Sequence, residues 1–253
     1  MKNLKQYITE KLKITKDNGY KYFPKTKEEL KDLIKQLINE RGNDGDFNDI
    51  DTSEITSMVG LFKYMKEFNG NISNWDVSKV TNMYEMFYSC ESFNQDISNW
   101  DVSKVTTMES MFFKCHSFNQ SLDNWDVSNV TNMKYMFEYC ESFNQPLNNW
   151  KVYKVTNLWG MFQGCTSFNQ PLNNWNVSKV EYMNNMFYDC KSFNQPLNKW
   201  NVSKVTDMGN MFAGCTLFNQ DISDWNVSKV NNNLWMFEDC PIEEKYKPNF
   251  YFI

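Results

Sequence analysis

Tryptophan recurs at one interval along most of this chain: Trp75, Trp100, Trp125, Trp150, Trp175, Trp200 and Trp225 stand 25 residues apart. Cys90, Cys115, Cys140, Cys165, Cys190, Cys215 and Cys240 keep the same step, with no insertion or deletion between them. Each unit reads roughly W-[DN]-V-S-K-V-T-N-M-x-x-M-F-x-x-C-x-S-F-N-Q-x-[LI]-x-N. An earlier, degraded unit begins at Ile50, where Met58, Leu61, Phe62, Phe68 and Asn69 hold the usual places. A period this constant constrains the fold more than any local propensity does. An insertion in one coil would throw its side chains out of register with both neighbours, so unbroken spacing points to units stacked as the coils of a solenoid.

Two textures alternate within a unit. Val80, Met83, Phe87 and Cys90 are spaced three, four and three apart, which predicts one face of a short helix. Ser78 or Thr81 is placed to cap its start. So short a helix must gain its stability by packing on its neighbours. The stretch from Phe93 to Val102 is rich in Asn, with Pro146, Pro171 and Pro196 at one equivalent position in later units. That composition suits short extended pieces joined by tight turns. Stacked as parallel strands about 4.8 Å apart, about eight coils would form an array roughly 40 Å long. The recurring Trp, Val, Met, Phe, Cys and Leu or Ile are the expected interior. The fixed Asn94, Asn119, Asn144, Asn169, Asn194 and Asn219 are expected to align as a ladder whose amides bond backbone groups at each turn.

Residues 1–49 stand apart from the period. Leu4, Ile8 and Leu12 predict a short amphipathic helix. The following segment carries stronger signals: Thr26 and Glu29 form a capping box, Leu30, Leu33, Ile34, Leu37 and Ile38 make an apolar stripe, and Gly42 suits the stop. A solenoid exposes apolar surface at each end. The organisation expected is therefore a helical N-terminal cap over residues 1–49, repeats over 50–240, and a C-terminal cap over 241–253 in which Ile242, Tyr246, Phe250 and Phe252 cover the last coil.

Residues 1–49 hold 11 basic and 9 acidic side chains of the 26 and 31 in the chain, leaving 15 and 22 for the remainder. An acidic array with scattered lysines argues against a nucleic-acid partner. No apolar run reaches the length of a secretory core or a membrane span. The chain is therefore expected to be cytoplasmic as synthesised, and to reach a virion or cell surface only by a signal-independent route. The cysteines lack zinc-ligand spacing. Stacked equivalents lie close enough to bridge on distance alone. Cys nevertheless shares the apolar stripe, and Met65 takes its place in the first unit, which favours buried free thiols.

The string V-T-N-M-x-x-M-F-x-x-C-x-S-F-N-Q-P-L-N-N-W-N-V-S resembles the BspA-like leucine-rich repeat family, in the variant typical of mycoplasma surface lipoproteins. The resemblance covers about residues 50–240. It implies an α/β repeat fold, a right-handed leucine-rich-repeat-like solenoid with a short strand and a short helix per coil. It also implies adhesive or host-interacting roles at a surface. The chain departs from the lipoproteins in one respect: its first cysteine is Cys90, so no lipid-attachment cysteine lies near the start.

Catalytic chemistry finds no foothold. His116, the one histidine, occupies a position where other units carry Glu, Thr, Lys or Pro, and acid–base work needs positioned partners. Asp76, Asp101 and Asp126 give way to Asn or Lys in later units. There is no phosphate loop, no nucleophile elbow and no calcium-binding repeat. Thr81, Thr106, Thr131, Thr156 and Thr206 hint at an ice-binding ladder that Glu181 and Asn231 interrupt. The expectation is a non-enzymatic protein without cofactor or metal. It would bind a protein or glycan through its variable positions, with ends able to self-associate; the alternative is a structural part of a virion or cell-surface array.

The freest positions lie between the paired methionines and just before each Cys, and they hold Tyr84, Tyr88, Phe113, Tyr135, Tyr139, Trp159, Tyr188 and Trp235. These rings form either an exposed ridge or a second layer packed between neighbouring helices, and lateral contact between units favours the layer. The unit from Trp150 departs most, with Lys151, Tyr153, Leu158 and Trp159, followed by Glu181 and Tyr182. Drift is the plainer explanation for surface changes of this kind. If the variable face binds, the residues expected to carry contact are Lys151, Tyr153, Trp159, Tyr182, Tyr135 and Tyr84.

Overall fold

A computed structural model describes residues 19–250. Leu4, Ile8 and Leu12, and Phe252 of the C-terminal cap, lie outside the described residues. Helix α1, Lys27–Arg41, begins as its capping signals dictate: Thr26 Oγ1 accepts the Glu29 amide at 3.1 Å. The Glu29 carboxylate accepts from the Lys25 amide, one residue before the cap. Gly42, at φ +80°, ends the helix by donating to the Ile38 carbonyl. Leu30, Leu33, Ile34 and Leu37 are wholly buried in the core that runs on through the repeats. Arg41 fixes the end of α1 with a two-pronged bond to Asp49, at 2.7 and 2.9 Å. Burial alone would raise the Asp49 carboxyl, but Arg41 and Lys21 hold it below its ordinary range.

From Ser57 onward each unit pairs with the next in parallel through one residue: Ser57 with Asn82, Asn82 with Thr107, and so on to Asp207 with Asn232. The offset is always 25, so equivalent side chains form columns. The Phe62–Phe87–Phe112 column continues to Phe237, with ring centroids 5.2–6.0 Å apart between neighbours. Each Trp of the 25-residue comb donates its indole N–H to a carbonyl 28 residues earlier, as Trp150 does to Leu122 at 2.9 Å. Each Asn of the F-N-Q triplet accepts the backbone amide of the next Asn; Asn144, for example, bonds the Asn119 side chain at 3.0 Å. That amide oxygen also takes the Gln145 side chain at 3.1 Å, so the expected ladder is present and doubled.

The helix expected in each unit is absent. Val80, Met83, Phe87 and Cys90 are all fully buried, but the backbone carrying them is a run of tight turns. The amides of Met83, Glu85, Phe87 and Ser89 point out of the coil to the carbonyls of Thr107, Glu109, Met111 and Phe113, at 2.7–3.2 Å. The intervening amides of Met86, Tyr88 and Cys90 close on carbonyls three residues back. Glu85 and Ser89 sit at φ +54° and +56°, which ends any i to i−4 pattern. Bonds between coils win over bonds within a helix, because every unit can make them with both neighbours. No strand forms in the stretch from Phe93 to Val102, where extended pieces were expected; the one bridging residue per unit is Asn82 and its equivalents, within the segment expected to be helical.

Among the described residues, two columns account for every left-handed residue other than glycine. Gly60, Glu85, Ser110, Tyr135, Gly160, Asn185, Asn210 and Trp235 make one. Tyr64, Ser89, Lys114, Tyr139, Gly164, Asp189, Gly214 and Asp239 make the other. Glycine and asparagine suit such turns, whereas a ring there is strained unless its surroundings hold it.

The Asp or Asn after each Trp has a structural task. Asp101 accepts the Ser103 amide at 3.1 Å, and Asn176 accepts both the amide and the hydroxyl of Ser178. The Ser103 hydroxyl and amide hold the Asp101 carboxyl below its ordinary range. Either oxygen-bearing side chain closes this turn, which explains their interchange. Ser78 correspondingly donates its amide to Asp76, so it does not cap a helix. The threonine hydroxyls bond backward between coils; Thr106, for one, donates to the Thr81 carbonyl at 3.1 Å.

Candidate functional site

The variable strip of the stack is the face on which the turns from Asn82 to Ser89 and their equivalents lie. Several of its rings pack against one another, while Tyr188 and Trp235 stand exposed. Tyr135 and Trp159 meet at 5.4 Å with planes tilted 56°. Lys134 Nζ lies 4.0 Å from the Trp159 ring centre and 4.8 Å from that of Tyr135. The Tyr135 ring occupies the space a side chain on Gly160 would fill, since a Cβ there would stand 2.5 Å from Tyr135 Cδ1. Tyr139 lies over Gly164 in the same way.

A second run of rings joins earlier coils. Tyr64 and Tyr88 meet edge-on at 5.4 Å, Tyr88 stacks on Phe113 at 4.4 Å, and Phe113 meets Tyr139 at 6.2 Å. Lys63 lies over the first pair of rings and Lys114 over the last. The face is thus a layer of rings packed from coil to coil, with lysines resting on it. Of the two readings left open by the sequence, packing describes Tyr135, Tyr139 and Trp159.

Glu138 lies among these groups. It is only 7% exposed, and its carboxylate makes no hydrogen bond or ion pair among the described residues. Burial pushes its carboxyl up to about 7, while Lys114 and Lys134 pull in the other direction. Burial, with Glu138 and Glu109 nearby, also pushes the Tyr135 hydroxyl up to about 12. The Trp159 Nε1 is buried without an acceptor.

The match to known families follows the repeats. Two stretches, residues 30–150 and 137–248, match the family described as Mycoplasma protein of unknown function, DUF285. The chain belongs to this family. No curated protein matches it.

In this DUF285 chain the six residues singled out from the sequence fall into separate groups. Tyr135 and Trp159 come together with Lys134. Tyr84 is half-buried in the Trp159 column, three coils away, with its hydroxyl pushed up by burial and by Glu85. Tyr153 and Tyr182 are exposed, at 40% and 42%. Lys154 lies 6.0 Å from the Tyr153 ring centre. Lys151 is exposed, replaces the turn-closing Asp or Asn, and has no contact with the Trp159 group. The sequence reading missed Lys134 and Glu138, although a carboxylate in the column of Tyr88, Phe113 and Tyr188 was visible.

His116 stands with Nδ1 3.6 Å from the Glu141 carboxylate, beyond hydrogen-bond reach. Among the described residues no group of three His, Cys, Asp or Glu side chains could hold a metal ion, and no helix is long and apolar enough to cross a membrane. All seven cysteines are free, six of them buried and Cys240 half-buried. Their thiols donate to phenylalanine carbonyls, as Cys115 does to Phe87 at 3.0 Å, and burial raises them.

Proposed function

We propose that this chain is a non-enzymatic interaction module, a solenoid of the BspA-like leucine-rich-repeat kind that presents one lateral face to a protein or glycan. The observation that carries this reading is the two groups of packed rings on the variable strip, Tyr64 through Tyr139 and Tyr135 with Trp159, with Lys63, Lys114 and Lys134 resting on them. Rings offer area to sugar faces and apolar side chains, and lysines supply charged donors beside them. Because the rings hold one another, the surface is ordered before a ligand arrives, which lowers the entropic cost of binding. The repeat string supports the leucine-rich-repeat likeness and, through it, an adhesive role.

A glycan array probed with the whole chain tests this, alongside Lys134→Ala, Tyr88→Ala and the exposed-ring variants Tyr153→Ala and Tyr182→Ala. Selective binding lost in Lys134→Ala or Tyr88→Ala, with unchanged melting, supports the ring layer. Loss only in Tyr153→Ala or Tyr182→Ala would move the site to the turn beside Trp150. The alternative, a structural component of an assembly, draws on the C-terminal end of the stack.

A further inference from the structure

At every junction of the variable strip, four amides of one coil meet four carbonyls of the next. The last such set runs from Met208, Asn210, Phe212 and Gly214 to the carbonyls of Asn232, Leu234, Met236 and Glu238, at 2.8–2.9 Å. The equivalent amides of the final coil belong to Asn233, Trp235, Phe237 and Asp239, and they meet no acceptor among the described residues. Side chains of the two left-handed columns lean onto the following coil: Tyr135 over Gly160, Tyr139 over Gly164, Asp189 over Gly214. Trp235 and Asp239 occupy the same columns in the final coil, and so project beyond it.

The surroundings are apolar. Trp235 is 65% exposed and Leu234 63%. Leu217 is exposed too, but one coil earlier, in the column where five earlier units carry Ser. Leu217 and Leu234 are the two exposed aliphatic side chains of any size among the described residues. Asn233, next to Leu234 in the chain, borders an open groove of about 690 Å³ that also takes in Trp225, Val227, Val230 and Phe250. The chain's own C-terminal segment covers part of this end: Ile242 is buried, Tyr246 and Phe250 pack against the core, and Lys247 lies over the Phe237 ring, so the expected cap is partial and leaves Leu234 and Trp235 exposed. The opposite end is closed more fully, since α1 buries four aliphatic residues against the core and Lys31 bonds the Gly60 carbonyl at 3.1 Å.

We propose that the C-terminal end is a dimer interface, occupied by the same end of a second copy about a two-fold axis. A head-to-tail contact is disfavoured because α1 occupies the other end. A two-fold contact is self-complementary, because each end carries both donors and acceptors. The amide row is one half; the exposed carboxylates of Glu238 and Asp239, which have no ion pair or hydrogen bond of their own, are the other. Trp235 and Leu234 of each copy then cover each other, as an isologous interface requires. The lateral ring layer takes no part, so this proposal stands or falls separately from the binding reading.

Sedimentation velocity on the whole chain, from micromolar to near-millimolar concentration, should show monomer passing to dimer and stopping there. Trp235→Asp should raise the dissociation constant by at least about 30-fold, the scale of an interface hot spot. Tyr64→Asp, at a residue 63% exposed near the other end, should leave it unchanged. In a Cys240→Ser background, Trp235→Cys should give a disulfide-linked dimer on mild oxidation and Tyr64→Cys should not. A chain that stays monomeric throughout, species growing past the dimer, or equal effects at Trp235 and Tyr64 would each overturn the proposal.

Discussion

Replacing Glu138 by Gln is expected to stabilise the protein at alkaline pH and do little in acid. The side chain is 93% buried by area, the complement of its 7% exposure, and its carboxylate is unbonded. The folded carboxyl stands at about 7 against an ordinary 4.5. Below about 4.5 the group is protonated whether the chain is folded or not, and it contributes no pH dependence. Between about 4.5 and 7 the unfolded chain has released the proton and the folded chain still holds it, so stability falls as pH rises. Above about 7 the loss is complete. A gap of about 2.5 pH units at 1.36 kcal/mol each sets a ceiling of about 3 kcal/mol. The value of about 7 already includes the opposing pull of Lys114 and Lys134, and solvent screening reduces the ceiling further, so about 1–2 kcal/mol is the expected gain for Glu138→Gln at pH 8. Asp49, Asp101 and Asp126, whose carboxyls are held low, impose their own slope in acid, but they are common to both proteins and cancel in the difference. Urea titrations of both proteins from pH 4 to pH 8 measure that difference directly. A difference that does not change with pH, or a Gln variant weaker at pH 8, would show that the lysines compensate the buried charge and refute the argument.

Other perturbations probe the stack itself. Gly160→Ala forces a Cβ into the Tyr135 ring at a left-handed position and should cost about 2–4 kcal/mol, whereas Gly42→Ala, left-handed but with open space, should cost about 1–2 by thermal melting. Trp150→Ala opens a void and leaves the Leu122 carbonyl without its donor, for about 3–5 kcal/mol, and hydrogen exchange should show fraying in the adjoining coils; wild-type melting would mean the Trp column is not the core. Thiol titration of the native chain should modify Cys240 readily and the six buried cysteines only on denaturation, and rapid reaction of several would contradict their burial. Lys151→Asp restores the acceptor that closes the turn in other coils and should add about 0.5–1 kcal/mol in urea titration.

The interior was legible because a fixed period leaves each side chain one set of neighbours. Val80, Met83, Phe87 and Cys90 are buried as their spacing requires, yet they belong to no helix. Steps of three and four bring residues to one side in a chain of tight turns as well as in a helix, so periodicity alone could not choose between them. The discriminating signal was the alignment of Gly60, Gly160, Asn185 and Asn210 in one column and Gly164, Asp189 and Gly214 in another, residues that tolerate a left-handed backbone. The site was less legible. Trp159 and Tyr135 are joined through Lys134, in a column that carries a different residue in every coil, and Glu138 stands in a column nearly as variable, so no pattern singles either out. Lys151 and Tyr153 were grouped with them by nearness in sequence, but they sit at the turn after Trp150 and on a different column.

The same hydrogen bonds give the stack a direction. On the variable strip every amide between coils points toward the C-terminal end and every carbonyl toward α1. Four peptide dipoles per junction point this way on the strip, while one or two amides of the Thr and Ser columns, as in Thr106 to Thr81 and Ser117 to Glu91, point back; the strip itself is left with partial positive charge on the row from Asn233 to Asp239. The side chains follow that field. Lys31 of α1 lies at the negative end, where it bonds the Gly60 carbonyl beside the outward row, whereas Glu238 and Asp239 stand at the positive one. A cap made of charge and hydrogen bonds is thus polar in the same sense as the array it closes. A module of this design has two chemically different ends: a carbonyl end covered by its own helix, and an amide end whose complement is a carboxylate.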